Sequence, residues 1–460
     1  NGFGLAVQAY QKRAPFVIDW LAETARKHKR RWCVRLVKGA YWDSEIKRAQ
    51  EQGLSGYPVF TRKPNTDISY LACARQMFEV GSEFIYPQFA THNAHTIAAI
   101  HHYAHGRPYE YQRLHGMGTD LYAEVIGEKN LNVPCRVYAP VGSHEDLLPY
   151  LVRRLLENGA NTSFVNRVVD EDVPIRDLVA DPCELVRPLD SKSHPRIPQP
   201  IALFGEQRKN SMGANLANEN ELNALATSVN AARGPWIAAP LVPGSQTAEA
   251  ARDVTDPSDR RRVVGQSRSA DAATLQLALR NAVAAQPDWN NLPAASRAKI
   301  LEHAADTLEA RRAEFIALCV REAGKTIPAA IAEVREAADF CRYYAAMARK
   351  LFAQPEALPG PTGESNALHL HGRGVFVCIS PWNFPLAIFM GQVVAALAAG
   401  NSVIAKPADQ TTLIGHATVK LLHEAGVPEA VLQFVPCKGS VLGNTLLTQN
   451  DVAGVCFTGS

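Results

Sequence analysis

Several things are missing from this chain of 460 residues. No apolar run approaches the ~18 residues a membrane-spanning helix needs, so nothing in it reads as a span. Neither charge dominates: 48 Lys and Arg stand against 45 Asp and Glu, a net of +3, and no block of like charge suggests a polybasic tail. There is therefore no electrostatic case for nucleic acid. Nine cysteines, an odd number without regular spacing, are no disulfide framework and read as reduced and intracellular. No signal peptide precedes Asn161-Thr-Ser163, so that glycosylation sequon is taken as chance. No internal repeat of fixed period occurs, and no G-x-G-x-x-G.

What is present is a globular composition, 47% hydrophobic and 20% charged, on a chain long enough for about three domains of ~150 residues. The first residue is Asn1, inside a strand-like run, and Ser460 follows another such run, Val452 to Phe457. The expectation is a piece of a longer protein.

Residues 1–180 alternate strand and helix patterns. Strands are expected at Gly4–Ala9, Trp32–Val37, Phe84–Phe89, Tyr109–Leu114 and Arg136–Val141, and helices at Val17–Lys27, Thr66–Phe78, Ala94–Tyr103, Leu121–Ile126 and Glu145–Glu157. Five βα units in succession point to a parallel sheet, with the last five units of a (β/α)8 TIM-type barrel as the leading form. Residues 181–260, punctuated by Pro188, Pro195, Pro198, Pro200, Pro235, Pro240 and Pro243, read as a linker and the opening of a new domain. Residues 261–460 begin Ala/Arg/Glu-rich and helical, then turn after Leu370 to a doubly wound, Rossmann-like α/β series: Gly374–Ile379, Phe389–Ala398, Ser402–Lys406, Thr411–Glu424, Val431–Val435 and Val452–Phe457.

Chemistry-bearing residues gather at the strand ends. Arg35 interrupts an apolar strand, and a charge there must be paired or hydrogen-bonded. Lys38-Gly-Ala-Tyr-Trp42, Thr61-Arg-Lys63, Thr91-His-Asn93 and His115-Gly-Met-Gly118 follow at the ends of strands or in loops, a set that suits an anionic cofactor with phosphates. His92 and His95 are metal ligands or plain structural histidines; no carboxylate or Cys joins them at ligand spacing, so no metal is assigned. In Tyr150-Leu-Val-Arg-Arg-Leu-Leu-Glu157 the residues Tyr150, Arg153, Arg154 and Glu157 share one helix face, opposite a stripe of Leu151, Val152, Leu155 and Leu156 expected to be buried. Paired guanidinium forks suit a small carboxylate ligand; the plain alternative is a solvated face with an Arg153–Glu157 pair.

Val34-Arg-Leu-Val-Lys-Gly-Ala-Tyr-Trp42, Tyr57-Pro-Val-Phe-Thr-Arg-Lys63, Gln88-Phe-Ala-Thr-His-Asn-Ala-His95 and Tyr150–Asn158 resemble the proline dehydrogenase barrel of the bifunctional proline utilization A family. The resemblance implies an FAD-dependent oxidation of L-proline to pyrroline-5-carboxylate by hydride transfer to flavin N5, with electrons passing to a membrane quinone. By that likeness Arg153 and Arg154 clamp the proline carboxylate, Tyr138 and Tyr150 wall its ring, and Leu114 lies on the flavin side. Arg35 lies near N5 and Gln8 near the pyrimidine edge. Val37, Lys38, Gly39, Tyr41, Trp42, Thr61, Arg62, Lys63, Thr91, His92, Asn93, Gln112 and Glu157 hold the rest of the FAD. The family's pocket Lys and a flavin-contacting Asp come from earlier strands and are absent here.

Ile379-Ser-Pro-Trp-Asn-Phe-Pro385, Lys406-Pro-Ala-Asp409 and Phe457-Thr-Gly-Ser460 each follow a strand, and together resemble the NAD-binding domain of aldehyde dehydrogenases. The likeness implies oxidation of glutamate semialdehyde to glutamate. Asn383 would supply an oxyanion donor, and Lys406 would bind the adenosine ribose. Ile379, Ser380, Pro381, Trp382, Asp409, Thr458, Gly459 and Ser460 would line the NAD cleft. Asp409 stands where the family usually has Glu, which leaves the NAD or NADP preference open. The family's catalytic Cys and general base lie downstream of Phe-Thr-Gly-Ser, and the strand cysteines Cys33, Cys135, Cys378 and Cys456 are expected to be structural. The resemblance further implies a cytoplasmic enzyme, peripherally membrane-associated during turnover, and a homo-oligomer at full length. The readings of another class are a non-catalytic scaffold and a transcriptional regulatory segment of the same protein.

Overall fold

The computed structural model describes residues 3–159, 174–246 and 249–459, with the backbone alone for 155–159. Two compact units emerge: Asn1–Glu51 with Gly56–Gln199, and Gln52–Ser55 with Pro200–Ser460.

The first unit is built on five strands, β1 (Gly4–Gln8), β2 (Trp32–Val37), β3 (Ile85–Ala90), β4 (Glu110–Leu114) and β5 (Cys135–Tyr138), all parallel and adjacent in chain order. Side chains alternate between the two faces of a strand, so each β-run makes two surfaces. On one face Val7, Val34, Leu36, Ile85, Phe89 and Tyr111 are buried against Ile18 and Leu21 of helix Ala14–Lys27, Tyr70 and Met77 of helix Lys63–Glu79, and Ile97 and Ile100 of helix Ala94–Ala104. On the other face the register aligns Ala6, Arg35, Gln88 and Glu110, then Gln112 with Arg136 and Leu114 with Tyr138. One side of the sheet is the core and the other is polar.

A helix that the periodicity did not announce, Trp42–Glu51, follows β2; only Ile46 and Ala49 of it are buried, too few to print a stripe on the sequence. The Pro-rich stretch after 180 stays with this unit. Ser193 O accepts from Arg62 Nε (3.0 Å), Lys192 O from Asn65 Nδ2 (2.8 Å) and Pro198 O from the Tyr57 hydroxyl (2.6 Å). A strap so poor in N–H donors is fastened through its carbonyls.

The second unit opens with a helix, Glu219–Ala231, and a three-stranded sheet in the order β6 (Trp236–Ala238), β8 (Asp259–Ser267), β7 (Arg252–Asp256). A hairpin of β9 (Glu356–Leu358) and β10 (Asn366–Leu368) comes later. Its main sheet runs β13 (Leu432–Phe434), β12 (Ser402–Lys406), β11 (Val375–Ile379), β14 (Val452–Phe457), all parallel. Both faces of β11, β12 and β13 are covered. Cys378, Val403, Ala405 and Phe434 pack with helices Ala294–Ala310, Ile327–Phe352, Ala387–Ala398 and Thr412–Glu424, while Val375, Val377, Ile404 and Val435 pack with helix Ala272–Asn291. A sheet buried on both sides needs near-continuous apolar strands, which is the character of Ser-Val-Ile-Ala-Lys in β12.

Buried charges in this unit close helix ends. Glu322 accepts from Leu413 N (2.7 Å) and Ile414 N (2.9 Å), and Glu333 from Leu386 N (3.2 Å) and Ala387 N (2.9 Å), at the first turns of two different helices. Arg297, 3% exposed, donates to Ala398 O (3.2 Å), Asn290 O (3.1 Å) and Leu292 O. Acids on helix N-termini and a guanidinium on C-termini satisfy orphan backbone groups.

Candidate active sites

At the carboxyl end of the first unit's sheet, three arginines lie over aromatic rings. Arg35 of β2 lies 5.0 Å from the ring centre of Tyr138 of β5, Arg153 lies 4.2 Å from that of Tyr41, and Arg154 lies 5.0 Å from that of Tyr150. Tyr41 follows β2, whereas Tyr150, Arg153 and Arg154 belong to helix His144–Gly159. The structure therefore pairs Arg35 with Tyr138 across the sheet and brings Arg153 of the helix to Tyr41 at the end of β2, while Arg154 and Tyr150 meet within the helix. Among the described side chains no carboxylate is paired with Arg35 or Arg153.

The expected apolar stripe of that helix is corrected: Leu151 and Val152 are 42% and 43% exposed. Arg153 and Arg154 are half-buried instead, Arg153 against the Tyr41 ring. Leu155, Leu156 and Glu157 have side chains outside the described residues.

Behind these groups lies a cationic shelf. Lys38 Nζ pairs with Asp67, and Lys63 Nζ reaches the other carboxylate oxygen of Asp67 at 3.3 Å. Burial pulls the Lys38 amine below its ordinary pKa; Asp67 opposes that and neighbouring Lys63 adds to it. Gly39 has φ +128°, and a Cβ there would meet the Tyr10 ring at 2.5 Å, so only glycine fits the turn. Trp42 Nε1 donates to Phe60 O at 2.7 Å.

At the end of β3, Asn93 caps helix Ala94–Ala104 by accepting from Thr96 N (3.0 Å), and Thr91 Oγ1 accepts from Asn93 N (3.2 Å). His92 Nε2 is buried with no protein partner, and burial, helped by Arg113, lowers its pKa. Thr61 and Arg62 are engaged by the Pro-rich strap, Thr61 Oγ1 accepting from His194 N at 2.9 Å. Gln8 and Val37 end neighbouring strands, half-buried, and Leu114 is buried at the end of β4.

Two residues here were missed in the sequence. Asp67 bridges both lysines, and its signal was the i,i+4 spacing from Lys63. Glu110, buried mid-sheet, accepts from Gln88 (2.8 Å) and Gln112 (2.9 Å) and pairs with Arg136 through both oxygens (2.8 and 2.9 Å). Burial pushes its pKa up, but the hydrogen bonds from Arg136 and the two amides outweigh that and bring it below the ordinary value. It opens the polar strand Glu-Tyr-Gln-Arg-Leu, where no apolar run marks it as Arg35 is marked.

In the second unit the expected residues surround the carboxyl ends of β11, β12 and β14. Ser380 is buried and donates its N–H to Lys406 O (3.2 Å), while Thr458 N donates to Ile379 O (3.1 Å), so the ends of the three strands are tied together. Trp382, 57% exposed, and Asn383 stand out of the turn, with Pro381 half-buried behind them. The turn is anchored by Glu333, which caps the following helix and pairs with Lys325 at 2.8 Å; the Lys325 ammonium lies 4.4 Å from the centre of the Phe384 ring. Lys406, 6% exposed, donates to Pro407 O (2.8 Å) and reaches Asp409 at 3.4 Å. Gln392 Nε2 donates to Thr458 Oγ1 at 2.9 Å, Gly459 is exposed at φ +148°, and Ser460 lies outside the described residues. Among the described residues no cluster of three or more metal-ligating side chains occurs, and no helix is long and apolar enough to cross a membrane.

Residues 1–167 match the proline dehydrogenase family and residues 244–460 the aldehyde dehydrogenase family. The whole chain is 51% identical to bifunctional protein PutA of Klebsiella aerogenes, of which it covers 35%. Over its full length the chain is similar to proline utilization A proteins. It is also 51% identical, over its full length and 35% of the relative's, to the PutA of Escherichia coli K12. A solved proline utilization A of Bdellovibrio bacteriovorus, inactivated by N-propargylglycine, superposes with a TM-score of 0.86 at 33% identity, over all of this chain and 47% of that one. A 1-pyrroline-5-carboxylate dehydrogenase of Anoxybacillus flavithermus is 39% identical over 45% of this chain and 40% of its own length. The chain thus spans about a third of the length of the curated bifunctional relatives.

Proposed function

We propose that this chain carries two oxidoreductase sites of proline catabolism, one oxidising L-proline to pyrroline-5-carboxylate and one contributing to oxidation of glutamate semialdehyde to glutamate. The observation that carries the reading is the set of three ring-stacked arginines at the carboxyl end of the first sheet. Guanidinium forks held by aromatic faces are preorganised for a carboxylate that arrives with the substrate.

Five adjacent parallel strands in chain order are read as part of a (β/α)8 barrel, whose chemistry belongs at the carboxyl face. FAD, when bound, supplies the two-electron acceptor. The residues fit it: Lys38 and Lys63 offer cations to phosphates, Gly39 lets the backbone come close, and the buried, unpartnered His92 Nε2 awaits a polar atom. Arg153 and Arg154 bind and orient the proline carboxylate, Tyr138 and Tyr150 flank the ring, and Leu114 gives the pocket an apolar wall. Arg35, stacked on Tyr138, brings positive charge to the side where electrons leave the substrate. A membrane quinone would be the final electron acceptor, and peripheral membrane association would belong with it.

In the second unit the crevice over β11, β12 and β14 is read as the NAD site of a doubly wound domain. NAD supplies the hydride acceptor there. Lys406 would hold the ribose, Trp382 and Thr458 would line the cleft, and Asn383 would offer its amide to a developing oxyanion.

The test is turnover. The FAD-loaded protein is given L-proline and a soluble quinone analogue, and quinone absorbance is followed. Proline-dependent quinone loss supports the reading; flavin-loaded protein that ignores proline would assign the barrel another substrate.

A further inference from the structure

Cys378 lies in β11 and Cys456 in β14, and the two are direct register partners across parallel strands. Register partners project to the same face of a sheet, and neighbouring strands run ~5 Å apart, inside the Cα separation that a disulfide tolerates. Both thiols are free, and a hydrogen bond joins them. Cys378 is 2% exposed, whereas Cys456 is half-buried, so an oxidant has one way in.

We propose that Cys378 and Cys456 form an oxidisable dithiol, which a peroxide converts to a disulfide bridging β11 and β14. The Cys456 thiolate attacks one peroxide oxygen, the O–O bond breaks, and the sulfur is oxidised to a sulfenic acid while hydroxide leaves. Cys378 then loses its proton and attacks that sulfur. An S–S bond forms, the S–O bond breaks, and a second hydroxide leaves. Two electrons have moved from the two sulfurs to the peroxide, and the two thiol protons convert both hydroxides to water.

The hydrogen bond from Cys378 lowers the Cys456 thiol to about 7 against the pull of burial, which suits Cys456 as the attacking group. The same hydrogen bond, together with burial, pushes Cys378 up and leaves it the resolving partner. Cys73, Cys319, Cys341 and Cys437 are buried elsewhere, and burial raises each of them. The pair comes one residue before Ile379 and Phe457, whose strand ends are already tied by Thr458 N to Ile379 O at 3.1 Å. A covalent bridge locks the floor of the crevice over β11 and β14. The dithiol stands whether or not that crevice takes NAD.

The experiment treats the whole chain with hydrogen peroxide at neutral pH, alkylates the remaining thiols, and maps cysteine states by peptide mass spectrometry. The expected product is a Cys378–Cys456 cross-linked peptide that dithiothreitol reverses. In Cys378→Ala the cross-link is lost, Cys456 is captured by dimedone as a sulfenic acid, and its reaction with peroxide slows by about fivefold, since a higher pKa costs thiolate but restores some nucleophilicity. Recovery of alkylated, unoxidised Cys378 and Cys456 at a peroxide level that oxidises exposed Cys183 overturns the proposal. So does a Cys456 cross-link made only between chains. The wild-type map decides the matter even where the variant does not fold.

Discussion

The two units place their charges for opposite purposes. In the first, Arg35, Lys38, Arg153 and Arg154 stand at strand ends or on a helix facing them, packed on rings or on one shared carboxylate. In the second, Glu322, Glu333 and Arg297 are buried on helix termini, where each bonds backbone groups left over by helix geometry. Arg35 and Arg153, stacked on rings, have no carboxylate partner among the described side chains, whereas a charge spent on backbone is already used. The hydrogen-bond partner therefore separates site from scaffold better than burial does.

The comparison breaks most visibly at the arginine pair. Replacing Arg153→Met together with Arg154→Met is expected to weaken proline binding to the FAD-loaded protein by roughly 100- to 1000-fold, the loss typical of a removed charge-assisted carboxylate clamp. Urea unfolding should hardly move. Flavin-perturbation titration reads the first and far-UV circular dichroism the second; a shift in stability without a shift in affinity makes the pair scaffold.

Glu333→Ala should do the reverse, costing about 3 kcal/mol by stranding two N–H groups and the Lys325 ammonium. Hydrogen exchange should show the second unit opening more easily while amides of β1 to β5 keep their protection. Equal loosening of both units contradicts the assignment.

The pH response sharpens the contrast further. Glu110 has a folded pKa below the ordinary 4.5, so its stabilisation is present above that value and fades as pH falls through the lower folded one. Glu322 is raised by burial to about 8, so its contribution is full below 4.5 and is lost as pH climbs towards 8. The first unit should therefore weaken in acid and the second towards mildly alkaline pH, with Glu110→Gln and Glu322→Gln flattening the respective curves in pH-dependent exchange. The smallest effect is expected at Asn93→Ala, about 1 kcal/mol for a lost N-cap, read as a lower urea midpoint.

Legibility in the sequence followed the same division. Strands β1 to β5 were readable because one face is apolar and the other is not, and Arg35 announced itself by breaking an apolar run. Strands β7 and β8 were not, since Arg252–Asp256 and Asp259–Ser267 are charge-rich and mostly exposed, and their pairing is set by a turn rather than by burial. The turn after β11 was legible through its resemblance, but its anchors Glu333 and Lys325 lie on another helix and its preceding loop, where nothing local marks them. The pairing of Arg153 with Tyr41 is likewise a tertiary fact. Sequence gave the cation but not the ring beneath it.

The most direct measurement of the central claim is anaerobic. The FAD-loaded protein is mixed with L-proline in the absence of any other acceptor, and the flavin absorbance is recorded. The account predicts bleaching that saturates with proline concentration and is absent at the same concentrations in the Arg153→Met/Arg154→Met protein. Bound flavin that stays oxidised under L-proline, or that bleaches equally well in the double variant, contradicts it.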